Sequence, residues 1–455
     1  MNKKIIGIFI VMLLIIAGYN TIATINEKEK TYHSTYYDPL DGGWVEIIDG
    51  VKILHVSGSY YDMGYQYGYL MKDEIWEVYR GSLEYYELLG ISIEDFIQLW
   101  EVMKDFIPQE YKEEAKGFSN GSGLPLEEAY ASLVSTAIIH DISACSVFSA
   151  WGSATKDGKL YQTRSMDWYN GVKDPQTGKY VYDNQCLMVR NPDDGYASLC
   201  PILPSTIGFY GGINEKGIAI NAILSWSNKD RSNSGIPMGI RILMVLDKAS
   251  NTDEAIEIID SNTTRGWNLI ISDGKIPIGY AVEQTANFSY IGTWDNSIES
   301  NKPFWEIKDV VRRGNLFINP DCAAQQRRQY YPWSFIMYLL NGPFADIDTY
   351  DPYNYWYYPQ WMRYKALSYG SENILGTIDL KSSIQMIREV YRGETLNLLF
   401  RFKLPYIFST NTTYQWTACP ETGDFAISFS SGMINAHEND VHYLNFYELL
   451  ESEPP

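Results

Sequence analysis

The chain has 455 residues, 45% of them hydrophobic, and 56 acidic against 36 basic side chains give it a formal net charge of −20. Counts of 37 Tyr, 17 Phe and 13 Trp exclude global disorder, since so many rings demand a packed interior. The acidity, with no Lys/Arg block longer than a pair, excludes a nucleic-acid partner, which requires a basic footprint.

Along the chain, Lys3 and Lys4 precede an apolar run over residues 5–17, and the small residues Thr21 and Ala23 follow. A basic start before a short apolar run is the pattern of an export signal. Residues 1–24 are therefore expected to be a signal peptide or a retained anchor, with residues 5–23 as the tether. The run alone is shorter than the ~20 residues of a spanning helix, and both outcomes stay open. The expected location is outside the cytoplasm, secreted or held on the outer face of the cytoplasmic membrane.

From 60 to 140 the period is helical. Tyr61, Gly64, Tyr65, Gly68 and Met71 recur at three- and four-residue spacing. A second helix is expected over 91–107 with Ser92 near its start, and a third over 125–139 with Glu127 and Glu128 in its first turn. Residues 119–123, Ser-Asn-Gly-Ser-Gly, read as a loop. Residues 25–144 are thus expected to be an all-helical segment.

Beyond Ala144 the period becomes that of strands. Residues 145–155 and 160–166, joined by Lys156-Asp157-Gly158-Lys159, predict a hairpin. A second pair is expected over 199–210 and 218–226 around Asn214-Glu215-Lys216-Gly217. Helices follow at 238–249 and 253–259, the latter capped by Thr252. Strands are expected at 267–272, 278–284, 412–418 and 426–431, and a helix at 382–392. Hairpins flanking a helical layer predict an α+β fold of helices on antiparallel sheets, not βαβ winding.

Five cysteines, Cys145, Cys186, Cys200, Cys322 and Cys419, leave at least one thiol unpaired. No C-x-x-C or H-E-x-x-H occurs, so no zinc site or other metal is expected. Cys145 opens a strand at the junction of the two regions, where a cysteine is most often a small buried hydrophobe. The short hairpin, however, returns Arg164 and Asp167 to its vicinity. A cation near a thiol raises the thiolate fraction, which makes a nucleophile.

Ala-Cys145-Ser-x-Phe-x-Ala-Trp-Gly, followed by Arg164-x-x-Asp167-Trp168, resembles the acyl-coenzyme A:isopenicillin N (6-aminopenicillanate) acyltransferase-like family of N-terminal-nucleophile linear-amide hydrolases. Gly58-x-x-Tyr61-x-Met63-Gly64-x-x-Tyr67-Gly68 and Glu114-x-x-Gly117-Phe118-Ser119-x-Gly121 are similar to the family's prosegment, and Gly212-Ile213-Asn214-Glu215-Lys216-Gly217 to its Asn-Glu turn. The resemblance implies an αββα four-layer sandwich made as a precursor and cut between Ala144 and Cys145. Residues 25–144 would remain as an associated small chain, and 145–455 would form the catalytic domain. Cys145 would then be nucleophile and, through its own α-amine, base, so that no histidine and no cofactor is required.

The resemblance further implies that Arg164 sits at the nucleophile and that Asp167 holds the new amino group. Asn214 would donate to the oxyanion, although a turn role suits it equally. The family's second asparagine falls on Asn315, with Asn319 a competitor, and a substrate-binding arginine on Arg363. Rings at Tyr353, Tyr355, Trp356, Tyr357 and Tyr358 suggest either a lid over an acyl chain or simple core packing. The expected partner is a small acyl-amide. Rival readings are a papain-like pair of Cys145 with His437 or His442, an exported binding module with a decayed site, and a phospholipase B-like lipid acyl hydrolase.

Overall fold

The computed structural model describes residues 38–138, 144–225, 227, 229–301, 304–326, 359–392 and 411–454. The expected export signal and the tyrosine-rich stretch 350–358 lie outside them. Two strands open the described chain, β1 (Trp44–Ile48) and β2 (Val51–Gly58). Helices α1 (Tyr60–Leu70), α2 (Lys72–Leu88), α3 (Ile93–Met103), α4 (Gln109–Ser122), α5 (Leu126–Ser132) and α6 (Ser135–Ile138) follow. The hairpin that follows is β3 (Ala144–Gly152) with β4 (Gly158–Asp167). Next come β5 (Cys186–Pro192), β6 (Ser198–Ile202), β7 (Gly211–Asn214), β8 (Ile218–Leu224), α7 (Met238–Lys248), α8 (Thr252–Asp260), β9 (Trp267–Asp273), β10 (Ile278–Gln284), β11 (Ser289–Gly292) and β12 (Val310–Arg313). The last elements are α9 (Pro320–Ala323), α10 (Pro359–Asn373), α11 (Leu380–Arg392), β13 (Thr412–Cys419), β14 (Asp424–Phe429), β15 (His442–Asn445) and α12 (Phe446–Leu450).

The strands form two sheets. One has nine strands in the order β1-β2-β5-β6-β7-β8-β9-β10-β11, and the other six in the order β12-β3-β4-β13-β14-β15. All pairings are antiparallel except β2 with β5, which is parallel. The inner faces meet in a core that includes Val147, Trp151, Leu199, Ile213, Ile223 and Trp416. Helices α1, α7 and α8 pack on the nine-stranded sheet, and α10 and α11 on the six-stranded one. Four layers in the order helix, sheet, sheet, helix result, as expected.

The segment before Cys145 is not all helical. It contributes β1 and β2 to the edge of the nine-stranded sheet, with Ile53 opposite Leu187 and Val56 opposite Arg190. Val51, Ile53, Leu54 and Val56 are buried because both faces of β2 are covered, and a strand buried on both faces loses the alternation that reveals strands in sequence. Helix α4 also runs through the expected loop. It ends only at Gly123, whose φ of +79° is the left-handed cap geometry that glycine adopts freely. The cap of α8 is Asn251, one residue earlier than expected, its side chain accepting from Glu254 N.

Four glycines of the two motifs, Gly64, Gly68, Gly117 and Gly121, have a single cause. Helices α1 and α4 cross with backbones almost touching: a Cβ on Gly64 would lie 2.0 Å from the Glu114 carbonyl oxygen, and one on Gly117 would lie 2.0 Å from that of Tyr61. Glu114 in turn forms a buried fork with Arg190 of β5, at 3.2 Å from Nη2 to Oε2, and Arg190 Nη2 lies 3.5 Å from Asp247 of α7. Tyr60 and Tyr111 each donate to Asp247 Oδ2 at 3.1 Å. Five side chains thus lock helices α1 and α4 onto the sheet, where an unpaired Arg190 would be prohibitively costly.

Candidate active site

Alternation along β3 decides what surrounds Cys145. Cys145 and Val147 point into the core between the sheets, whereas Ser146 and Phe148 point at the helices behind. In the hairpin Cys145 pairs with Met166, Val147 with Arg164 and Ala144 with Asp167. Cross-strand partners share a face, so Met166 and Arg164 join the thiol on the inner side. Cys145 Sγ lies 3.7 Å from Met166 Sδ and 3.8 Å from Arg164 Nη2.

Arg164 is fully buried and held by the backbone of the opposite sheet, donating through Nη1 to the carbonyls of Tyr210, at 2.9 Å, and Ala222. Burial pushes the Cys145 thiol above its ordinary value, and the Arg164 guanidinium opposes that shift. Asp167 faces the helical layer, where Ser165 Oγ donates to Oδ1 at 2.9 Å and Tyr391 of α11 donates to Oδ2. Burial pushes its carboxyl up to about 7, against the pull of Arg363, Tyr391, Ser165 and Arg164. Tyr391 also meets Ser146 Oγ at 3.0 Å, linking the outward residues on both sides of Cys145 to one helix.

Asn315 completes the group. Strand β12 pairs with β3 so that Arg313 faces Val147, and the same register two residues on places Asn315 opposite Cys145. Cys145 N donates to Asn315 Oδ1 at 2.6 Å, and Arg363 Nη2 donates to the same oxygen at 3.0 Å. Asn315 Nδ2 is committed to the Leu224 carbonyl at 2.7 Å, which fixes the amide orientation. The competitor Asn319 is the cap of α9, accepting from Asp321 N and Cys322 N.

Asn214 does not join them. Its Nδ2 donates to the carbonyls of Leu246 at 3.0 Å and Ala249 at 2.8 Å, and its Oδ1 accepts from Lys216 N and Ile218 N. Both side-chain amide hydrogens are used in tying the turn to the end of α7, so the Asn214 side chain has none left for an oxyanion. The turn role takes the residue.

Neither histidine of the papain-like reading pairs with the thiol. His437 Nδ1 meets Thr412 Oγ1 at 2.8 Å, and His442 Nδ1 meets Asp49 Oδ2 at 3.1 Å. All five cysteines are buried and unbridged. Of the side chains around Cys145, Tyr391 and Met166 were not singled out from sequence. Met166 lay between two marked residues, and period-2 alternation alone could have put it beside the thiol. Tyr391 carries no sequence signal, being one tyrosine of many on an amphipathic helix.

A cavity of about 150 Å³ opens beside Met166. One wall comes from helices α2 and α3, with Tyr85, Tyr86 and Phe96, and the other from the sheet region, with Tyr182, Tyr210 and Tyr414. Rings dominate it, and Glu128, Gln185 and hydroxyls such as Ser132 and Ser135 place polar groups in a mainly apolar lining.

A family profile described as acyl-coenzyme A:6-aminopenicillanic acid acyl-transferase matches residues 155–286, a span that includes Arg164, Asp167 and Asn214 and begins downstream of Cys145. Protein dcd1B of Dictyostelium discoideum is 26% identical over 256 residues, covering 50% of this chain and 48% of that protein. An uncharacterized protein of Archaeoglobus fulgidus is 24% identical over 315 residues, covering 60% and 51%. The chain thus spans about half the length of these curated relatives. Among solved structures, penicillin V acylase from Agrobacterium tumefaciens aligns with a TM-score of 0.36 at 14% identity, over 67% of this chain and 87% of that one. The Caenorhabditis elegans ortholog of N-acylethanolamine-hydrolyzing acid amidase aligns with a TM-score of 0.36 at 12% identity, over 61% and 93%. Residues 155–286 of the chain are thus similar to the acyl-coenzyme A:6-aminopenicillanic acid acyl-transferase family.

Proposed function

We propose that this protein is an exported, self-processing enzyme that cleaves a linear, non-peptide amide through a thioester on Cys145. The observation that carries the reading is the convergence on one residue of a cation at its sulfur and an asparagine acceptor at its nitrogen. In the uncut chain the sulfur attacks the Ala144 carbonyl carbon, the C–N bond breaks, and the nitrogen takes the thiol proton. Water then opens the thioester, leaving a carboxylate on residue 144 and a free α-amine on Cys145. That amine, with an ordinary pKa of about 8, takes the thiol proton in the catalytic cycle and passes it to the leaving amine. The acyl group stays on sulfur until water removes it.

Asn315 Oδ1 holds the nitrogen in both stages, and Arg164 favours the thiolate in a site that burial would otherwise keep neutral. With Asn214 committed to its turn, Arg363 becomes the donor for the oxyanion, because its Nε is buried without a hydrogen-bond partner. The acyl group occupies the ring-lined cavity beyond Met166, which suits an aromatic or bulky apolar acyl chain. Since the prosegment forms one wall and two strands of the sheet, the small chain stays bound after cleavage. The apolar run over residues 5–17 directs export.

Intact mass and N-terminal sequencing of the purified protein, beside Cys145→Ala, test this. The wild type should give two chains, one beginning at Cys145, and the variant a single chain. Acylation of Cys145 by an activated phenylacetyl amide should then appear as a mass increment on the larger chain. A wild type that stays uncut and takes up no acyl group would return the protein to the binding-module reading.

A further inference from the structure

The residue that receives the Cys145 nitrogen stands on a loop, and two side chains of the other sheet hold that loop. Asn268 on β9 and Glu283 on β10 are direct cross-strand partners, and both are completely buried. Their neighbours Leu269 and Val282 face the helices, while Ile270 and Ala281 belong to the core between the sheets, so the polar pair points across that core at the six-stranded sheet. Asn268 Nδ2 donates to the carbonyls of Gly314 at 2.8 Å and Leu316 at 2.6 Å, one on each side of Asn315. Glu283 accepts from Ile318 N at 2.9 and 3.0 Å and from Asn319 N at 2.9 Å, and its Oε1 lies 2.8 Å from Arg313 Nε.

Every residue flanking Asn315 from Arg313 to Asn319, except Phe317, is therefore gripped by one of these two side chains. A buried carboxylate is costly and pairs with whatever can satisfy it. Here most of its bonds go to one short stretch of backbone. We propose that Asn268 and Glu283 are positioning residues for the reaction: they hold the 314–319 loop so that Asn315 Oδ1 meets the nitrogen of Cys145. Neither touches the sulfur, and both act through Asn315. The inference rests on the reading of Cys145 as nucleophile.

The test uses the full chain with Glu283→Gln and Asn268→Ser, each alone and each combined with Asn315→Ala. Two rates are read, conversion of precursor to two chains and acylation of Cys145, together with the thermal midpoint. Each single variant should slow both steps ten-fold or more, the usual effect of misplacing a catalytic group by a fraction of an ångström to an ångström. In the Asn315→Ala background the same change should cost less than two-fold, because residues acting through one partner are not additive. A loss of equal size in both backgrounds would overturn the proposal, as would unchanged rates in folded single variants.

Crystal structures on the uncut Cys145→Ala background give a second, activity-independent readout. Glu283→Gln should move Asn315 Oδ1 out of hydrogen-bond reach of the residue 145 nitrogen, and an undisturbed 2.6 Å contact in a slowed variant would sink it. Should Asn268→Ser not fold, Glu283→Gln, which replaces a single oxygen by an amide nitrogen, carries the same comparison. A wild type that never cleaves and never acylates would instead dispose of the nucleophile itself, leaving the loop geometry intact.

Discussion

Asn315 Oδ1 stands 2.6 Å from the backbone nitrogen of Cys145 across a sequence separation of 170 residues, and that oxygen also receives Arg363. A single acceptor thus serves the Cys145 backbone N–H and an arginine donor at once. Replacing Asn315 by Ala should slow self-cleavage by about 100-fold, in the range found for lost transition-state contacts. The time course of precursor conversion by mass spectrometry measures it. Asn315→Asp keeps the acceptor but turns its second oxygen against the Leu224 carbonyl, and should be intermediate.

The crossing of α1 and α4 makes a stability prediction. A methyl group at Gly64 or Gly117 would fall 2.0 Å from a backbone oxygen, which no side-chain rotation relieves. Gly64→Ala should therefore cost at least ~2 kcal/mol in unfolding free energy. Chemical denaturation of the uncut Cys145→Ala protein, with and without the change, gives the number. Gly90, which has open space around it, is not a control because its φ is +77°.

Asp167 should make stability fall as pH rises. Its folded pKa, near 7, lies above the ordinary 3.8, so the folded chain holds a proton that the unfolded chain has already released. The stabilising contribution is complete below pH ~4 and is lost as pH rises through ~7, with an upper bound of about 4 kcal/mol. Asp167→Asn removes this dependence. Thermal midpoints of the uncut protein from pH 4 to 8 should show the variant gaining on its parent as pH rises.

His437 behaves in the opposite sense. Burial lowers its pKa from 6.5 to about 4, so the fold keeps it neutral. Its contribution is complete above pH ~6.5 and is lost as pH falls towards 4, by about 3 kcal/mol at most. His437→Gln should flatten that acid limb while leaving self-cleavage at pH 7.5 within two-fold. Abolished cleavage in a folded variant would favour the papain-like arrangement.

Filling the cavity should change selectivity before it changes chemistry. Ser135→Leu adds apolar volume to the cavity wall. It should lower kcat/KM for a bulky aromatic acyl-amide ten-fold or more relative to an acetyl amide, with self-cleavage unaffected. Parallel kinetics on the two substrates check this.

Much of this molecule was legible in its residues. The hairpin that brings Arg164 and Asp167 back to Cys145 follows from a four-residue turn between two strand-like runs, and such local pairing is fixed by chain geometry. Helix α11 and strands β9, β10, β13 and β14 were equally readable, because turn residues mark their ends. Strands β1 and β2 escaped because the structure buries β2 on both faces against a partner more than a hundred residues away. Asn214 was misplaced for a related reason. An asparagine before Glu-Lys-Gly satisfies turn chemistry and catalytic chemistry alike, and only its four partners distinguish them.

Short-range spacing and alternation along the chain were enough to place the hairpin neighbours of Cys145 and the layered architecture. Tertiary structure alone decided which asparagine reaches Cys145, which tyrosine holds Asp167 and which pair braces the loop of Asn315. Those contacts join β3 to the loop after its neighbour β12, a helix to β4, and one sheet to the other, and each is set by the packing of the whole core rather than by any one segment of the chain.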